Sequence, residues 1–396
     1  MTDKVPHDSI FSQNRRRRFS DSSIYQEIFD DIVMQAIKRK MVDGKILYTD
    51  STHLKANANK NKFKVEDIKK STKDYLDQLE EDVSRDREAH CKKPLKTTDA
   101  VPELKATKVS TTDPESGYMV RDGKPTGFFY LDHRTVDGRC GIITDTFVTP
   151  ANVHDSIPYL ERLDRQTERF GFAVESVGLY AGYSTAGICK GLEEREIYGV
   201  IGYRRKAYLR KNEFIYDATE DVYCCPGGHH LSYRTTTREG YRSYVSNPEI
   251  CRNCQLLSAC TQSASHTKII TRHIWQDSKD RIDRHRLSEE GKTIYQGRKE
   301  TVERSFADSK QLHGHRYARM RGLKRVFEQC LLCAAVQNMK KIALAVYKKP
   351  FLRPFFSYSG FYSGYCIPKT FLPFITTKFS ELQACFFFVT EIENPA

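Results

Sequence analysis

The feature that most constrains the fold is an alternation of short apolar strands and helices between residues 42 and 206. The first strand, at residues 45–50, ends in the carboxylate of Asp50. Two β-rich segments follow, separated by Asp137-Gly138, a dipeptide typical of hairpin turns. A helix, a strand, a second helix and a last strand come next. The order predicts an α/β fold, in which a mixed sheet starts with antiparallel strands, continues through a parallel crossover and is flanked by helices.

Composition divides the rest of the chain. A segment rich in Lys, Asp and Glu predicts a charged insertion with one exposed helix, and a later segment with five Cys and little helical periodicity predicts an inserted small module. Two helical segments follow that module. The expected divisions are an N-terminal helical region at 1–41, a core at 42–206 with its charged insertion at 56–110, a Cys-rich module at 207–285, the helical end of the core at 286–348, and an aromatic-rich tail of unassigned structure at 349–396.

The charge favours a polyanionic partner. The formal net charge is +13, and nucleic acid is the simplest partner for such a chain, although charge alone does not exclude a protein that binds nothing in particular. With 39% hydrophobic and 11% aromatic residues, the chain can bury a core, which excludes disorder throughout. The start has no apolar signal-peptide region, and no apolar run approaches the roughly 20 residues that span a bilayer. We therefore expect a cytoplasmic protein with no membrane partner.

Two acidic residues are candidate metal ligands. Asp50 projects from the end of an apolar strand, where a rigid carboxylate can hold a divalent cation, but the same residue type is common in turns. Glu303 lies in a predicted helix, with Ala307 and Lys310 four and seven residues further on. Its alternative is a solvent-facing glutamate in a charged helix. Taken singly, each residue favours the structural interpretation.

Four longer segments favour the functional interpretation of both residues. Together they resemble the DDE transposases of bacterial insertion sequences, in particular the subgroup with a Cys-rich insertion before the helix that carries the catalytic Glu. The resemblance covers about residues 10–348 and implies an RNase H-like core, in which three acidic residues hold two Mg²⁺ ions, with DNA as the partner and a homo-oligomer as one assembly. The segments are GKILYTDSTHLKANANKNK, TDTFVTPANVHDS, VESVGLYAGYSTAGICKGLEEREIYGVIGYRRK and RKETVERSFADSKQLHGHRYARMRGL.

The resemblance assigns roles to single residues. Asp50 matches the first acidic position, Glu303 the third, and Lys310 the lysine of an E-x6-K pattern that contacts DNA phosphate. Tyr295 and Arg298 match the upstream part of that signature, but the spacing to Glu303 is one residue longer than in the broader superfamily. A basic band around the Glu helix is expected to bind DNA; it includes Arg298, Arg304, Lys310, Arg316 and Arg321.

One departure affects catalysis. Where the family has its second Asp, this chain has Tyr180, and a phenol is neutral at pH 7 and a poor ligand for Mg²⁺. Asp145 and Asp155 belong to another matched segment, so we expect neither to take over. The start, FSQNRRRRF, resembles the end of a helical DNA-binding region, most of which is expected to be missing. The sequence thus predicts an impaired transposase; the alternative is a catalytically inactive remnant that still binds DNA.

The cysteines suggest a second metal site. Cys225, the pair Cys251 and Cys254, and Cys260 are expected to form a Cys₄ zinc site, because they cluster in a segment otherwise poor in core residues. The alternative is a set of buried or free thiols.

Overall fold

The computed structural model describes residues 7–19, 22–69, 76–95, 104–120, 123, 125–203 and 213–347. The expected tail at 349–396 lies outside these residues. The helices are α1 (Asp8–Arg17), α2 (Ile24–Lys38), α3 (Leu76–Ala89), α4 (Tyr159–Phe170), α5 (Ala186–Glu194), α6 (Pro248–Arg252), α7 (Leu257–Cys260), α8 (Gln276–Leu287), α9 (Glu289–Arg298), α10 (Arg304–Leu312) and α11 (Leu323–Tyr347). The strands are β1 (Ile46–Lys55), β2 (Phe63–Lys69), β3 (Leu104–Ser110), β4 (Gly117–Met119), β5 (Gly127–Asp137), β6 (Ile143–Pro150), β7 (Ser176–Leu179), β8 (Tyr198–Ile201), β9 (Ile215–Asp217), β10 (Val222–Cys224), β11 (His230–Thr236), β12 (Tyr241–Ser246) and β13 (Ile269–His273).

A mixed sheet forms the centre of the chain. Strand β1 pairs antiparallel with β5 on one side and parallel with β7 on the other, and β8 continues the parallel half. Strands β4 and β6 both pair antiparallel with β5, at successive positions along it. The expected α/β class, with an antiparallel start and a parallel crossover, is confirmed.

Helices cover both faces of this sheet. Successive residues of a strand point to opposite faces, so Leu47 of β1 packs in a cluster with residues of α4, α5 and α8, while Tyr48 packs in the cluster that contains α2 and α11. Strand β5 is buried along its whole length because it lies between neighbours and beneath helices. The sheet is therefore a rigid platform for any side chain that projects from a strand end.

The segment at 56–110 has more structure than its charge pattern predicts. Strands β2 and β3 pair into an antiparallel ribbon, although Val65 is 64% exposed, so main-chain pairing rather than burial forms it. Helix α3 is partly buried, since Leu79 and Val83 pack against Trp275. Its Asp86 also pairs with Arg242 of β12. Residues of the two predicted insertions are thus in contact.

The Cys-rich segment forms a second sheet of five antiparallel strands, in the order β13-β12-β11-β10-β9. Tyr223, Leu231 and Tyr244 give it a small core of its own. Helices α6 and α7 lie between β12 and β13; they carry Cys251 and Cys260, and Cys254 lies in the link between them.

Helix α11 is the one helix in the described residues that is long and apolar enough to cross a membrane, by length and composition alone. Its buried residues, among them Val326, Leu331 and Ala334, pack against the central sheet and α2. That environment is typical of a core helix.

Candidate metal and nucleic-acid site

Asp50 and Tyr180 lie side by side at the centre of the sheet. Strand β7 ends at Leu179, which pairs with Thr49 of β1, so Tyr180 follows at the level of Asp50. The Asp50 side chain is 17% exposed, whereas Tyr180 is 40% exposed. The two residues therefore lie on adjacent strands, with a phenol beside the carboxylate, but Asp50 lies within β1, which continues to Lys55, and not at a strand end as the sequence predicts.

A π-helical turn accounts for the longer spacing before Glu303. Between α9 and α10 the chain forms a π turn over Lys299–Glu303, which holds one residue more than an α-helical turn of the same span. Although Glu303 is five residues after Arg298, its Oε1 lies 3.7 Å from the Nη2 of that arginine. The π turn therefore accommodates the additional residue, and the Glu303 carboxylate stays on the face of the helix that points to Arg298.

Arg298 occupies the centre of the site. Its guanidinium is 2% exposed, and Nη2 donates a 2.6 Å hydrogen bond to Oδ2 of Asp50. The rings of Tyr180 and Tyr295 lie 5.6 and 5.3 Å from the guanidinium carbon. Because the same nitrogen faces Asp50 and Glu303, these two carboxylates meet around one cation. Arg298 was expected to contact DNA phosphate, but here its charge is directed at the two acids.

The surroundings of Asp50 disfavour its charged form. Burial raises the pKa of Asp50 to about 6, an effect that the Arg298 guanidinium and the backbone N–H of Ser51 oppose. The negative charges of Asp155 and Glu303 raise it further. A second cation at this position would relieve the repulsion.

A cleft of about 410 Å³ opens beside these acids. It combines carboxylates with cations and small polar side chains, which suits a metal ion together with a phosphate group. Lys310 and Arg316, both predicted DNA contacts, are part of its wall. The lining residues are Asp50, Ser51, Thr52, Glu303, Phe306, Ala307, Lys310, Gln311 and Arg316.

The other predicted DNA contacts lie on the surface. The Arg304 side chain is 71% exposed and pairs with Asp308 on the same helix face. Arg321 is exposed and donates to the main-chain oxygen of Asn57, 2.9 Å away, just after β1. Neither residue is part of the cleft wall.

A buried polar network fixes the helix that follows Glu303. Arg134 of β5 is fully buried and donates to Oγ of Ser305 and Ser309, at 2.9 and 2.8 Å. It also pairs with Asp132, which accepts a 3.0 Å hydrogen bond from His315. Sequence reasoning missed this network; the signal was the run Asp132-His133-Arg134 inside an otherwise apolar strand.

The same network contains a group with metal-ligand chemistry. The ligand atoms of Asp132, His315 and Cys330 lie within 4.8 Å of one another, and all three residues are buried. Arg134 pairs with Asp132 at 2.7 Å, so a cation already neutralises this carboxylate. Burial opposes the shift, but the neighbouring Cys333 and Cys330 and the hydrogen bond to Asp132 raise the pKa of His315 well above its usual value, which favours a charged imidazolium rather than a neutral ligand.

The four predicted zinc ligands line one cavity. The Sγ atoms of Cys225 and Cys254 lie 3.6 and 4.0 Å from the position that a Cβ atom would take at Gly227. Burial raises the pKa of Cys260, and so do the neighbouring thiols of Cys225, Cys251 and Cys254. Zinc needs thiolates, so this cluster requires a cation to hold the charged form. In contrast to the ligand atoms of Asp132, His315 and Cys330, the four sulfur atoms do not all lie within 4.8 Å of one another.

Comparison with known families agrees with this geometry. Residues 224–343 match the family model described as the transposase DDE domain. That range contains strands β11 to β13 of the second sheet, Glu303 and Lys310, while β9, Asp50 and Tyr180 precede it. The match supports the assignment of a DDE transposase, with DNA as the partner and a general dependence on divalent metal. The search of curated proteins finds no match.

Proposed function

We propose that the chain is an insertion-sequence transposase with an RNase H-like core, which cuts and joins DNA strands and is impaired by Tyr180. The observation that carries the proposal is the meeting of Asp50 and Glu303 around one guanidinium, beside a cleft with Lys310 and Arg316. The strand arrangement supports the fold: three antiparallel strands, then two parallel ones, with the first strand central.

The donor set fits Mg²⁺, because carboxylate oxygens are the ligands that this hard cation prefers. Asp50 and Glu303 would hold it, and Arg298 already provides one positive charge between them. When bound, Mg²⁺ supplies charge stabilisation for the attacking and leaving oxygens of a phosphodiester. The chain itself orients the acids: β1 fixes Asp50, and Arg134 fixes the helix after Glu303 through Ser305.

We assign DNA binding to the remaining Lys and Arg side chains. Lys310 and Arg316 in the cleft would hold the scissile strand by its phosphates, and the exposed Arg304 and Arg321 would extend the contact along the backbone. Such contacts carry little sequence information, so we propose tight but unspecific, salt-sensitive binding.

Tyr180 accounts for the proposed impairment. An Asp at this position would face the cleft edge beside Asp50 as an anion, whereas the phenol is neutral and its ring packs over Arg298 instead. The alternative, a catalytically inactive DNA-binding remnant, is favoured by the same stacking, because Arg298 then satisfies Asp50 without a metal.

Tyr180→Asp tests the proposal, with a DNA fragment that carries the sequences flanking the gene as substrate and Mg²⁺ or Mn²⁺ as the metal. We expect wild type and variant to bind the fragment equally within about twofold at low salt, and Tyr180→Asp to nick it faster. Asp50→Asn in the Tyr180→Asp background should abolish nicking and spare binding. Binding without nicking by Tyr180→Asp would favour the inactive remnant. Nicking that survives Asp50→Asn would contradict the proposed site.

We also propose a structural Zn²⁺ at Cys225, Cys251, Cys254 and Cys260. Their common cavity supports it, and so does the effect of the other three cysteines on the pKa of Cys260, an effect that requires the four side chains to lie near one another. The metal would tie α6 and α7 to the turn after β10, where the small core of the second sheet offers little other support.

A further inference from the structure

We propose that Asp155 is a third carboxylate ligand of the divalent cation, provided by the turn after β6 in a chain whose position 180 is a tyrosine. The inference rests on the proposed function, since it needs the metal site at Asp50 and Glu303. It differs from the sequence-based expectation that no neighbouring aspartate takes over.

The topology brings Asp155 to the edge of the sheet at which Tyr180 lies. Strand β6 is antiparallel to β5, and β5 is antiparallel to β1, so β6 runs in the same direction as β1 and β7. The segment after Pro150 therefore leaves the sheet at the edge where Tyr180 follows β7. Asp155 lies in this segment, before α4 begins at Tyr159.

Distances place its carboxylate beside the turn at residue 180. Oδ2 of Asp155 lies 3.4 Å from the position that a Cβ atom would take at Gly182. The Tyr180 ring lies 3.5 Å from the same point. Asp155 and Tyr180 thus approach one glycine, which has no side chain to separate them.

One oxygen of the Asp155 carboxylate is also unsatisfied. Its Oδ1 is buried and has no hydrogen-bond partner in the part of the chain that the structure describes. A buried carboxylate oxygen without a partner is unfavourable, and a bound cation would satisfy it. Its negative charge acts on Asp50 and on the buried Tyr183, so the group is within electrostatic range of the site.

Asp145, the other candidate, has a different environment. Its two oxygens accept hydrogen bonds from Nε and Nη2 of Arg162, and both side chains are buried. Both oxygens of Asp145 thus face a buried guanidinium, whereas Oδ1 of Asp155 has no partner among the described residues. Asp155 is therefore the better candidate ligand of the two.

The test measures Mn²⁺ binding directly, by electron paramagnetic resonance of the free ion in titrations of the full chain at pH 7.5. Asp155→Asn is nearly isosteric, and we expect it to weaken Mn²⁺ binding at least about tenfold. The control is Glu175→Gln, an exposed carboxylate before β7 that pairs with Lys45; it should leave affinity unchanged. Tyr180→Asp in the Asp155→Asn background should restore the affinity, because it supplies a carboxylate at the adjacent turn.

Thermal unfolding without metal separates a ligand from a structural residue. We expect Asp155→Asn to melt at or above the wild-type temperature, since the change removes repulsion with Asp50. A lower metal-free melting temperature with wild-type Mn²⁺ affinity would overturn the inference. If Asp50→Asn loses Mn²⁺ and Asp155→Asn does not, the inference fails and the proposed function stands. If neither wild type nor Tyr180→Asp binds Mn²⁺ at millimolar concentration, both fail.

Discussion

Deleting Glu300 should leave the protein folded, whereas inserting one alanine after it should not. The residue lies in the π turn between α9 and α10 and is exposed. A π turn contains one residue more than an α-helical turn, so the deletion converts it to α-helix and leaves both flanking helices in register. An insertion adds a second residue, and the helix after it rotates by about 100° and advances by about 1.5 Å.

The contacts of α10 give the loss in the free energy of unfolding that the insertion should cause. The rotation would separate Ser305 and Ser309 from the buried Arg134, and hydrogen bonds to a charged group contribute about 1.5–3 kcal/mol each. It would also withdraw Phe306, 6% exposed, from the core, at a cost of roughly 1.5–3 kcal/mol. The free energy of unfolding should therefore fall by about 5 kcal/mol or more, a large part of the usual 5–15 kcal/mol. For the deletion we expect a change within about 1 kcal/mol, since an exposed side chain is lost.

Urea denaturation followed by far-ultraviolet circular dichroism measures both variants, with Glu300→Ala as the matched control that keeps the π turn. Mn²⁺ affinity is the second readout, because it reports whether Glu303 still meets Asp50. An insertion variant as stable as wild type would refute the reasoning. A deletion variant that folds stably but no longer binds Mn²⁺ would also refute it, because the π turn would then determine the position of Glu303 as well as the register of α10.

The remaining predictions concern pH, zinc and DNA. With the pKa of Asp50 at about 6, protons compete with the metal, so Mn²⁺ affinity should fall about tenfold from pH 7.5 to pH 5; a flat titration profile over that range would contradict the burial of Asp50. Purified protein should contain one equivalent of Zn²⁺ by elemental analysis, and Cys254→Ser should lower it; metal-free protein prepared without chelator would count against the site. Lys310→Ala and Arg316→Ala should each reduce the salt dependence of DNA binding by about one phosphate contact, measured by fluorescence anisotropy; unchanged slopes would exclude the cleft as the DNA path.

The sequence predicted the central elements well because their signals are local. The hairpin of β5 and β6, the strand β7 and the crossover to β8 all follow from apolar periodicity and one turn dipeptide. Boundaries were less accurate: the strand expected at 45–50 continues to Lys55, because pairing with β5 extends it beyond its apolar part. The β2–β3 ribbon was missed for the same reason, since main-chain pairing produces it without a buried face.

The site was only partly predictable. Asp50 and Glu303 were identified through the family resemblance, because no periodicity links residues on a strand and a helix so far apart. The burial of Arg298 was not foreseen, since Gly297 and Lys299 flank it in the sequence and its partner Asp50 comes from elsewhere in the chain. The position of Asp155 depends on how two loops meet at Gly182, and that contact leaves no pattern in the sequence.

The charges around Arg298 link the stability of the site to its metal. The carboxylates of Asp155 and Glu303 both lie in electrostatic range of Asp50, and Arg298 pairs with Asp50. An aspartate at position 180 would add a fourth negative charge to this group, whereas Tyr180 adds none and shields the guanidinium with its ring. The tyrosine therefore favours the metal-free state, and an aspartate favours the metal-bound one. Tyr180→Asp should accordingly melt at a lower temperature than wild type without metal and show the larger increase when Mn²⁺ is added.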